Sequence, residues 1–512
     1  MIRSTAAAIL VLIACQATAN AAPRDSVVKI EVTARMPDLA RPWSRKSPSR
    51  SSGSGVVIES GRILTNAHVV RYASQIEVQP SSSSEKHVAT VVAIAPKIDL
   101  AVLELEDPSV AQSLPPLEMD ETIPELRQQV SVLGYPVGGS ELSVTEGVVS
   151  RIEFAGYYFG EKALRIQIDA ALNPGNSGGP AVSDGRMIGL VFSKIREAEN
   201  VGYLIPVEEV LAFLADIEDG QYDGKPVIIP LGRAHRLENA ALRKRLKLKG
   251  EWTGVVTTSI GLGNEQHPLK VGDVITRIGP HAIDNQGYVR VRDDLRLGFG
   301  YYVSKLAADG SVPLSIVRDG EPMQIQSPVT AENPRLIQPL NNTYPDYFIW
   351  GPIVFTPACQ ELIFGNGGKV LPALSATQSP LLARVNDIRR TPGEQAVIIP
   401  NRLFPHRVSR GYDSVVLSVV ESINGEPVTS LARLVEILRD CQDGFVEFKL
   451  GGVYPSLVFE REEAEAATEE ILADEGIRRR GSPALLKVWN AAPAGEPDAS
   501  AAGEEVEDVA QR

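Results

Sequence analysis

Ser177 stands in Asn173-Pro174-Gly175-Asn176-Ser177-Gly178-Gly179-Pro180, a serine set among glycines. A serine hydroxyl attacks a carbonyl effectively only when a neighbouring base takes its proton. The glycines let the backbone turn tightly and let a substrate come close. The same turn can aim the N–H groups of Gly175 and Ser177 at one point, forming an oxyanion hole. One donor of such a hole contributes about 3 kcal/mol of transition-state stabilisation. The chemistry these residues suit is acyl transfer through a serine ester.

Such a serine needs a base and an acid to orient it. The chain has six histidines, His68, His87, His235, His267, His281 and His406, of which His68 and His87 precede Ser177. His87 follows a serine run and Lys86 and reads as an exposed loop residue. His68, in Thr65-Asn66-Ala67-His68-Val69-Val70, sits between small residues where an apolar strand ends, and is the expected base. Asp99 heads the apolar run Leu100-Ala101-Val102-Leu103, where a buried carboxylate could hold the imidazole tautomer. Taken alone, an aspartate there could equally cap a turn through its own backbone. The chain order His68, Asp99, Ser177 is that of chymotrypsin-fold enzymes, not of subtilisins or α/β-hydrolases. No His-Glu-x-x-His, paired Cys-x-x-Cys or phosphate-loop pattern occurs, so no metal or other cofactor is expected.

A chain of 512 residues is too long for one core and suggests about three or four units. Hydrophobic content of 43% and charged content of 22% are those of ordinary globular proteins. A net charge of -13 argues against nucleic acid as a partner. Residues 22–222 read as short strands broken by Gly, Pro and Ser, the pattern of a mainly β barrel or sandwich. A helical period follows Pro206, and 219–226 reads as a polar linker. Beyond it, Ile275-x-x-Ile278-Gly279 with Ile283 repeats as Val420-x-x-Ile423-Asn424-Gly425 with Val428. Two small α+β modules over 226–332 and 336–458 fit this repeat. Residues 459–512 are acidic and rich in Ala, Pro and Gly, and are expected to be disordered apart from a helix over 462–475.

At the N-terminus, Arg3, the apolar stretch 6–14 and Ala19-Asn20-Ala21 form a signal-peptide pattern over 1–21. Leu12-Ile13-Ala14-Cys15 also resembles a lipobox, which would anchor the protein to a membrane through a lipidated Cys15. Cleavage after Ala21 leaves Cys359 and Cys441, whose spacing does not decide whether they pair.

Thr-Asn-Ala-His-Val-Val, Asp-Leu-Ala-Val-Leu and Asn-Pro-Gly-Asn-Ser-Gly-Gly-Pro resemble the three catalytic motifs of the Deg/HtrA family of serine proteases. Gly202-Tyr203-Leu204-Ile205-Pro206, Leu231-Gly232 and the run from Tyr347 to Pro357 are similar to its plant-type branch. The resemblance spans about residues 27–452. It implies a chymotrypsin-like double β-barrel followed by two PDZ-like domains, assembly as trimers or their multiples, and ATP-independent degradation of unfolded proteins. The signal-peptide pattern puts that work across the inner membrane, in the periplasm or cell envelope. Ala171, with Phe192 and Ser193, is expected to form the specificity pocket. Ala171 stands six residues before the nucleophile, where relatives specific for Lys or Arg carry an acid, so an apolar side chain is expected there. Leu231 and Gly232 are the expected carboxylate-binding loop of the first PDZ-like domain. Either module could instead serve oligomer packing. A polypeptide-holding chaperone on a protease fold is the alternative function.

Overall fold

The computed structural model describes residues 22–492 apart from 137, 138, 140, 158–160, 195–201, 229, 230, 261–266, 333, 334, 369, 377, 413, 414 and 453–455. The expected signal peptide with Cys15, and the tail beyond 492, lie outside the described residues. So do the side chains of Ser193, Leu231 and Gly232.

Two closed barrels come first. The first is built from β1 (Val27–Ala34), β2 (Ser49–Val57), β3 (Ile63–Thr65), β4 (Ala73–Pro80), β5 (His87–Ala95) and β6 (Leu100–Leu105), in the order β1-β2-β3-β6-β5-β4. Strand alternation explains it: Val28, Ile30 and Val32 are buried while Lys29 and Glu31 between them face outward and pair at 3.1 Å. The second barrel uses β7 (Gln129–Gly134), β8 (Ser143–Gly156), β9 (Lys162–Ile168), β10 (Pro180–Ser183), β11 (Arg186–Lys194) and β12 (Gly202–Pro206). Its order is β10-β11-β12-β9-β8-β7. One apolar cluster crosses the seam, with Val56, Leu64, Leu100 and Val102 from the first barrel meeting Leu133, Tyr135, Leu190 and Phe192 from the second. Each such side chain contributes roughly 1.5–3 kcal/mol by leaving water, so the two barrels form one folded unit.

His68 lies in a short helix, Ala67–Val70, just beyond β3, not on the strand end that its sequence context suggested. His87 opens β5 and is half-buried, so it is a strand residue and not an exposed loop residue. The helix Val207–Asp216 follows Pro206 as the apolar spacing indicated, with Val207, Val210 and Phe213 buried. Its Glu209 is 1% exposed and accepts the Leu164 N–H at 2.8 Å. The other oxygen of Glu209 pairs with Lys225, which ties the linker back onto the barrel.

Two modules of related topology complete the described chain. The first contains β13 (Val227–Ile228), β14 (Leu231–Arg236), β15 (Val255–Ile260), β16 (Val274–Ile278), β17 (His281–Ala282), the hairpin β18 (Tyr288–Arg292) and β19 (Leu295–Gly298), β20 (Ser311–Arg318) and β21 (Glu321–Thr330). Its main sheet runs β13-β21-β20-β16-β15-β14, with β17 off β16. The second runs β22 (Phe348–Trp350), β23 (Ile353–Pro357), β24 (Val397–Ile398), β25 (Val419–Ile423), β27 (Phe445–Gly451), β28 (Ser456–Glu460), with β26 (Glu426–Pro427) off β25. The sequence repeat falls on β16-β17 in one and β25-β26 in the other.

The helix expected over 462–475 is present as Arg461–Asp474, whereas the expectation of disorder for the rest of the tail is overturned as far as 492. Helix Arg461–Asp474 buries Ala464, Ala467, Thr468, Ile471 and Leu472, spaced as one helical face. The acidic residues that dominate its composition occupy the other face, and they hid the stripe. Helix Pro483–Trp489 buries Leu485 in the same cluster as Phe348, Leu434 and Phe448. The second module therefore runs past 458, through Leu485. Cys359 is buried, Cys441 half-buried, and the two are not bonded.

Candidate active site

Asp99 ends the turn before β6 with φ at +60°, a left-handed conformation uncommon outside glycine. Such a backbone costs on the order of 1–3 kcal/mol and persists when its surroundings hold it. Here the Asp99 carbonyl accepts Asn66 Nδ2 at 3.0 Å. Both carboxylate oxygens are also engaged. Oδ1 accepts the His68 backbone N–H at 2.9 Å, and Oδ2 faces His68 Nδ1 at 2.7 Å. The side chain of Asp99 is 1% exposed and that of His68 35%. An ionised carboxylate only accepts, so Nδ1 carries the proton and Nε2 is left as the basic nitrogen. Burial pulls the His68 pKa down, but the charge of Asp99 and its hydrogen bond together outweigh this and raise it above the ordinary value.

Ser177 is positioned from the other side of the seam. Asn176 N–H donates to Asn173 O at 3.1 Å, and Gly175 between them has φ of +101°. With Pro174 second and a left-handed glycine third, this is a type II turn. That choice fixes which way the Pro174–Gly175 peptide faces; a type I turn would reverse it. Among the described residues, neither the Gly175 N–H nor the Ser177 N–H donates to a protein acceptor. Gly175 is buried and Ser177 half-buried, and two such N–H groups around one serine make a receptor for an oxygen atom. Gly178 has φ of +85°, and a Cβ there would lie 2.1 Å from Ser54 O, so no larger residue fits.

One residue that the sequence reasoning passed over binds the two halves. Ser54, fully buried in β2, donates its hydroxyl to Gly175 O at 2.7 Å and accepts the Tyr135 N–H at 2.8 Å. Its N–H donates to Ser177 O at 2.9 Å, and its carbonyl accepts Thr65 Oγ1 at 2.7 Å. Thr65 lies three residues before His68, so the serine turn and the histidine helix are held on one strand. The signal available in sequence was small: a serine between Gly53 and Gly55. Among the described residues, no hydrogen bond joins Ser177 Oγ to His68.

Of the residues expected at the specificity pocket, Ala171 and Phe192 are not brought together, and the side chain of Ser193 lies outside the described residues. Ala171 is exposed, and its carbonyl accepts Thr145 Oγ1 at 3.1 Å. Phe192 is buried in the seam, stacked on Tyr157 at 4.9 Å. Ala170 is buried, and Leu172 packs inward, where a Cβ on Gly202 would meet it at 2.4 Å. Leu231 and Gly232 open β14, the edge strand of its sheet.

The second module touches the histidine helix. Asn342 Oδ1 accepts the Tyr72 N–H at 2.7 Å, Tyr72 OH donates to Thr343 O at 3.2 Å, and Arg71 lies 3.9 Å from Glu361. Tyr72 itself has φ of +53°.

The family profile of the trypsin-like peptidase domain matches residues 53–190, and that of the PDZ domain matches 338–484. Protease Do-like 2, chloroplastic, of Arabidopsis thaliana is 35% identical over 470 residues, covering 91% of this chain and 76% of the relative. The chain belongs to the Deg/HtrA, or Do-like, family of serine proteases. A second relative of this Deg/HtrA protease, Protease Do-like 4, mitochondrial, of the same plant, is 34% identical over 81% of the chain and 77% of its own length. A solved structure titled HtrA-type protease AlgW with decapeptide aligns at 25% identity and a TM-score of 0.46, over 62% of this chain and 97% of its own. The PDZ match ending at 484 agrees with a Deg/HtrA second module whose core includes Leu485.

Proposed function

We propose that this Deg/HtrA protease cleaves unfolded or damaged polypeptides without ATP, through an acyl-enzyme on Ser177. The observation that carries the reading is the pairing of Asp99 with both the backbone and Nδ1 of His68, set against the N–H groups of Gly175 and Ser177, which meet no acceptor among the described residues. A substrate carbonyl oxygen accepts from Gly175 and Ser177. Ser177 Oγ then bonds to the carbonyl carbon while its proton passes to His68 Nε2. Asp99 stabilises the resulting imidazolium and keeps the ring in place. The C–N bond breaks as His68 returns that proton to the departing amine. Water, deprotonated by the same nitrogen, then releases the acyl group and restores the serine.

Ala171, which stands without an acid where relatives specific for Lys or Arg carry one, supports apolar side chains at the cleavage position, since such a site offers no partner to a buried cation. The residue pattern of 1–21 supports action in the cell envelope, with Cys15 as the site of anchoring if it is lipidated. Assembly into trimers or their multiples is part of the same reading. The mass of the mature N-terminus and the native mass of the assembly test these two points. A holding chaperone with conditional proteolysis is the second reading, and the absent Ser177–His68 hydrogen bond favours it as the resting state. Casein digestion and fluorophosphonate labelling decide. Labelling of the wild type that Ser177→Ala abolishes is expected. Labelling absent from both, with client aggregation still suppressed, would sink the peptidase reading.

A further inference from the structure

The helix that carries His68 begins at Asn66, and asparagine is among the residues that best cap a helix start. It does so by accepting the N–H of the second or third helical residue on its side-chain oxygen. Asn66 makes no such bond. The second residue here is His68, and its N–H goes instead to Asp99 Oδ1 at 2.9 Å. Asp99 thus caps the helix from 31 positions away, and the side chain of Asn66 is released for another contact. Asn66 is fully buried, and its Nδ2 donates to Asp99 O at 3.0 Å. A carbonyl only accepts, so the nitrogen end of the amide must face it. Asn66 Oδ1 meets no donor among the described residues. The donor is therefore the group that this asparagine uses.

Asp99 needs that bond more than most residues would. β5 and β6 close through residues 96–99, with Ala95 paired to Leu100 and the Ile98 N–H donating to Ala95 O at 3.3 Å. The last position of such a short loop takes a left-handed backbone, for which glycine is the least strained residue. Asp99 holds it at φ of +60°. Aspartate tolerates this conformation when its own side chain bonds the nearby backbone. This carboxylate gives both oxygens to His68, so the compensating bond comes from Asn66. The Cα–Cβ direction turns with φ. A relaxing Asp99 backbone would therefore carry the carboxylate off both the His68 N–H and Nδ1.

We propose that Asn66 is a positioning residue for proteolysis, holding Asp99 in the backbone conformation that presents its carboxylate to His68. It acts through Asp99 and does not meet substrate. The inference rests on the roles of His68 and Asp99 toward Ser177 given above. The groups around His68 set the direction of the expected change. Asp99 comes from the turn before β6, and Arg71 follows the histidine helix, itself 3.9 Å from Glu361 of the second module. Tyr157, just past β8, faces Asp99. Burial and Arg71 pull the His68 pKa down, and Asp99 pulls it up through its charge and its hydrogen bond. A carboxylate that turns away should lower it. Plain loss of stability would act oppositely on an activity profile, since acid unfolding would cut activity at a higher pH.

The test compares Asn66→Ala and Asn66→Ser in the full chain. Serine caps a helix as well as asparagine does, but its hydroxyl sits one bond nearer the backbone than Nδ2 and falls short of Asp99 O. His68 is titrated by NMR in chains that also carry Ser177→Ala, with its signal assigned against His68→Gln. Separately, kcat and KM are measured across pH with Ser177 in place. The expected result is a His68 midpoint lowered by about half a pH unit or more in both variants. At neutral pH kcat should fall roughly 10- to 100-fold with KM within about twofold, and the acid limb should move to lower pH. If the alanine variant does not fold, the serine variant still reports the midpoint. Serine restoring the wild-type midpoint and kcat would overturn the proposal, since Asn66 would then be a cap. An unchanged midpoint in both variants would overturn it too, as would an acid limb displaced upward. The NMR midpoint decides whether or not Ser177 is reactive, and fluorophosphonate labelling of the wild type reports separately on the peptidase reading.

Discussion

Replacing Ser54 by alanine removes a hydroxyl that never touches substrate, and it should slow catalysis. The hydroxyl holds Gly175 O at 2.7 Å and the Tyr135 N–H at 2.8 Å, both in the seam between the barrels. Leaving one buried polar group without its partner costs roughly 1–3 kcal/mol, so the two orphaned here should destabilise the fold by about 2–5 kcal/mol. The second effect is on geometry. The Gly175 carbonyl anchors the residue whose N–H is one of the two donors facing the reacting oxygen. If its release lets the turn revert toward type I, that donor is lost, worth about 3 kcal/mol or a 100-fold fall in kcat. Urea unfolding gives the stability change. Steady-state cleavage of an apolar peptide gives kcat and KM, and the rate of fluorophosphonate labelling reports acylation alone. The expected pattern is kcat and labelling rate falling together by 10- to 100-fold, with KM nearly unchanged. The pH at which activity is half lost should stay put, because the bonds of His68 to Asp99 are untouched. A folded Ser54→Ala protein with kcat within twofold of wild type would refute the positioning role. A rise in KM alone would refute it too.

Further outcomes follow from the surroundings of His68, Glu209 and Tyr72. His68 titrates above about 6.5, because Asp99 favours the charged ring, and the base is needed neutral, so kcat/KM should fall as pH drops through that raised value. A midpoint below 6.5 would contradict the pairing. The same shift makes protonated His68 a stabilising group at low pH, a contribution lost as pH rises through the folded-state value, and Asp99→Asn should abolish it in pH-dependent denaturation. Glu209→Ala removes a carboxylate only 1% exposed that pairs with Lys225 and the Leu164 N–H, and should cost about 3–5 kcal/mol in urea unfolding. Asn342→Ala deprives the Tyr72 N–H of its acceptor at 2.7 Å, and should cost about 1 kcal/mol and lower kcat a few-fold while Ser177 remains labelled.

His68, Asp99 and Ser177 were legible in the sequence because nucleophilic chemistry demands particular residue types, and their neighbours are small or apolar in a way few other roles require. Strands and the helix after Pro206 were legible because period 2 and period 3.6 are written into the apolar positions. What escaped depends on through-space partners. Ser54 has no distinctive neighbours in sequence; its role arises only when Gly175 and Tyr135 fold onto it from 121 and 81 positions away. Ala171 and Leu172 differ by one position, and which of them turns inward is set by the strand pairing around them. The helix at the start of the tail was legible but its docking was not, because composition sums over a helix, whereas burial at Ala464, Ala467 and Ile471 depends on one face of it. The pairing of 479–482 with β22 joins a strand to a segment some 130 residues later, and neither carries a motif.

The arrangement also bounds what the second module can do to catalysis. It meets the histidine helix through one backbone hydrogen bond at Tyr72, one from its hydroxyl, the Tyr72–Tyr344 ring contact at 5.4 Å and the Arg71–Glu361 pair at 3.9 Å. A contact can shift an equilibrium only by the difference in its energy between the two states. Contacts of this kind are individually worth about 1 kcal/mol, so each can shift such an equilibrium by roughly 5-fold. Removing one oxyanion donor takes away about 3 kcal/mol, more than any one of these contacts, since it acts on the transition state itself. The module is therefore placed to modulate the site, and the barrels alone carry the chemistry.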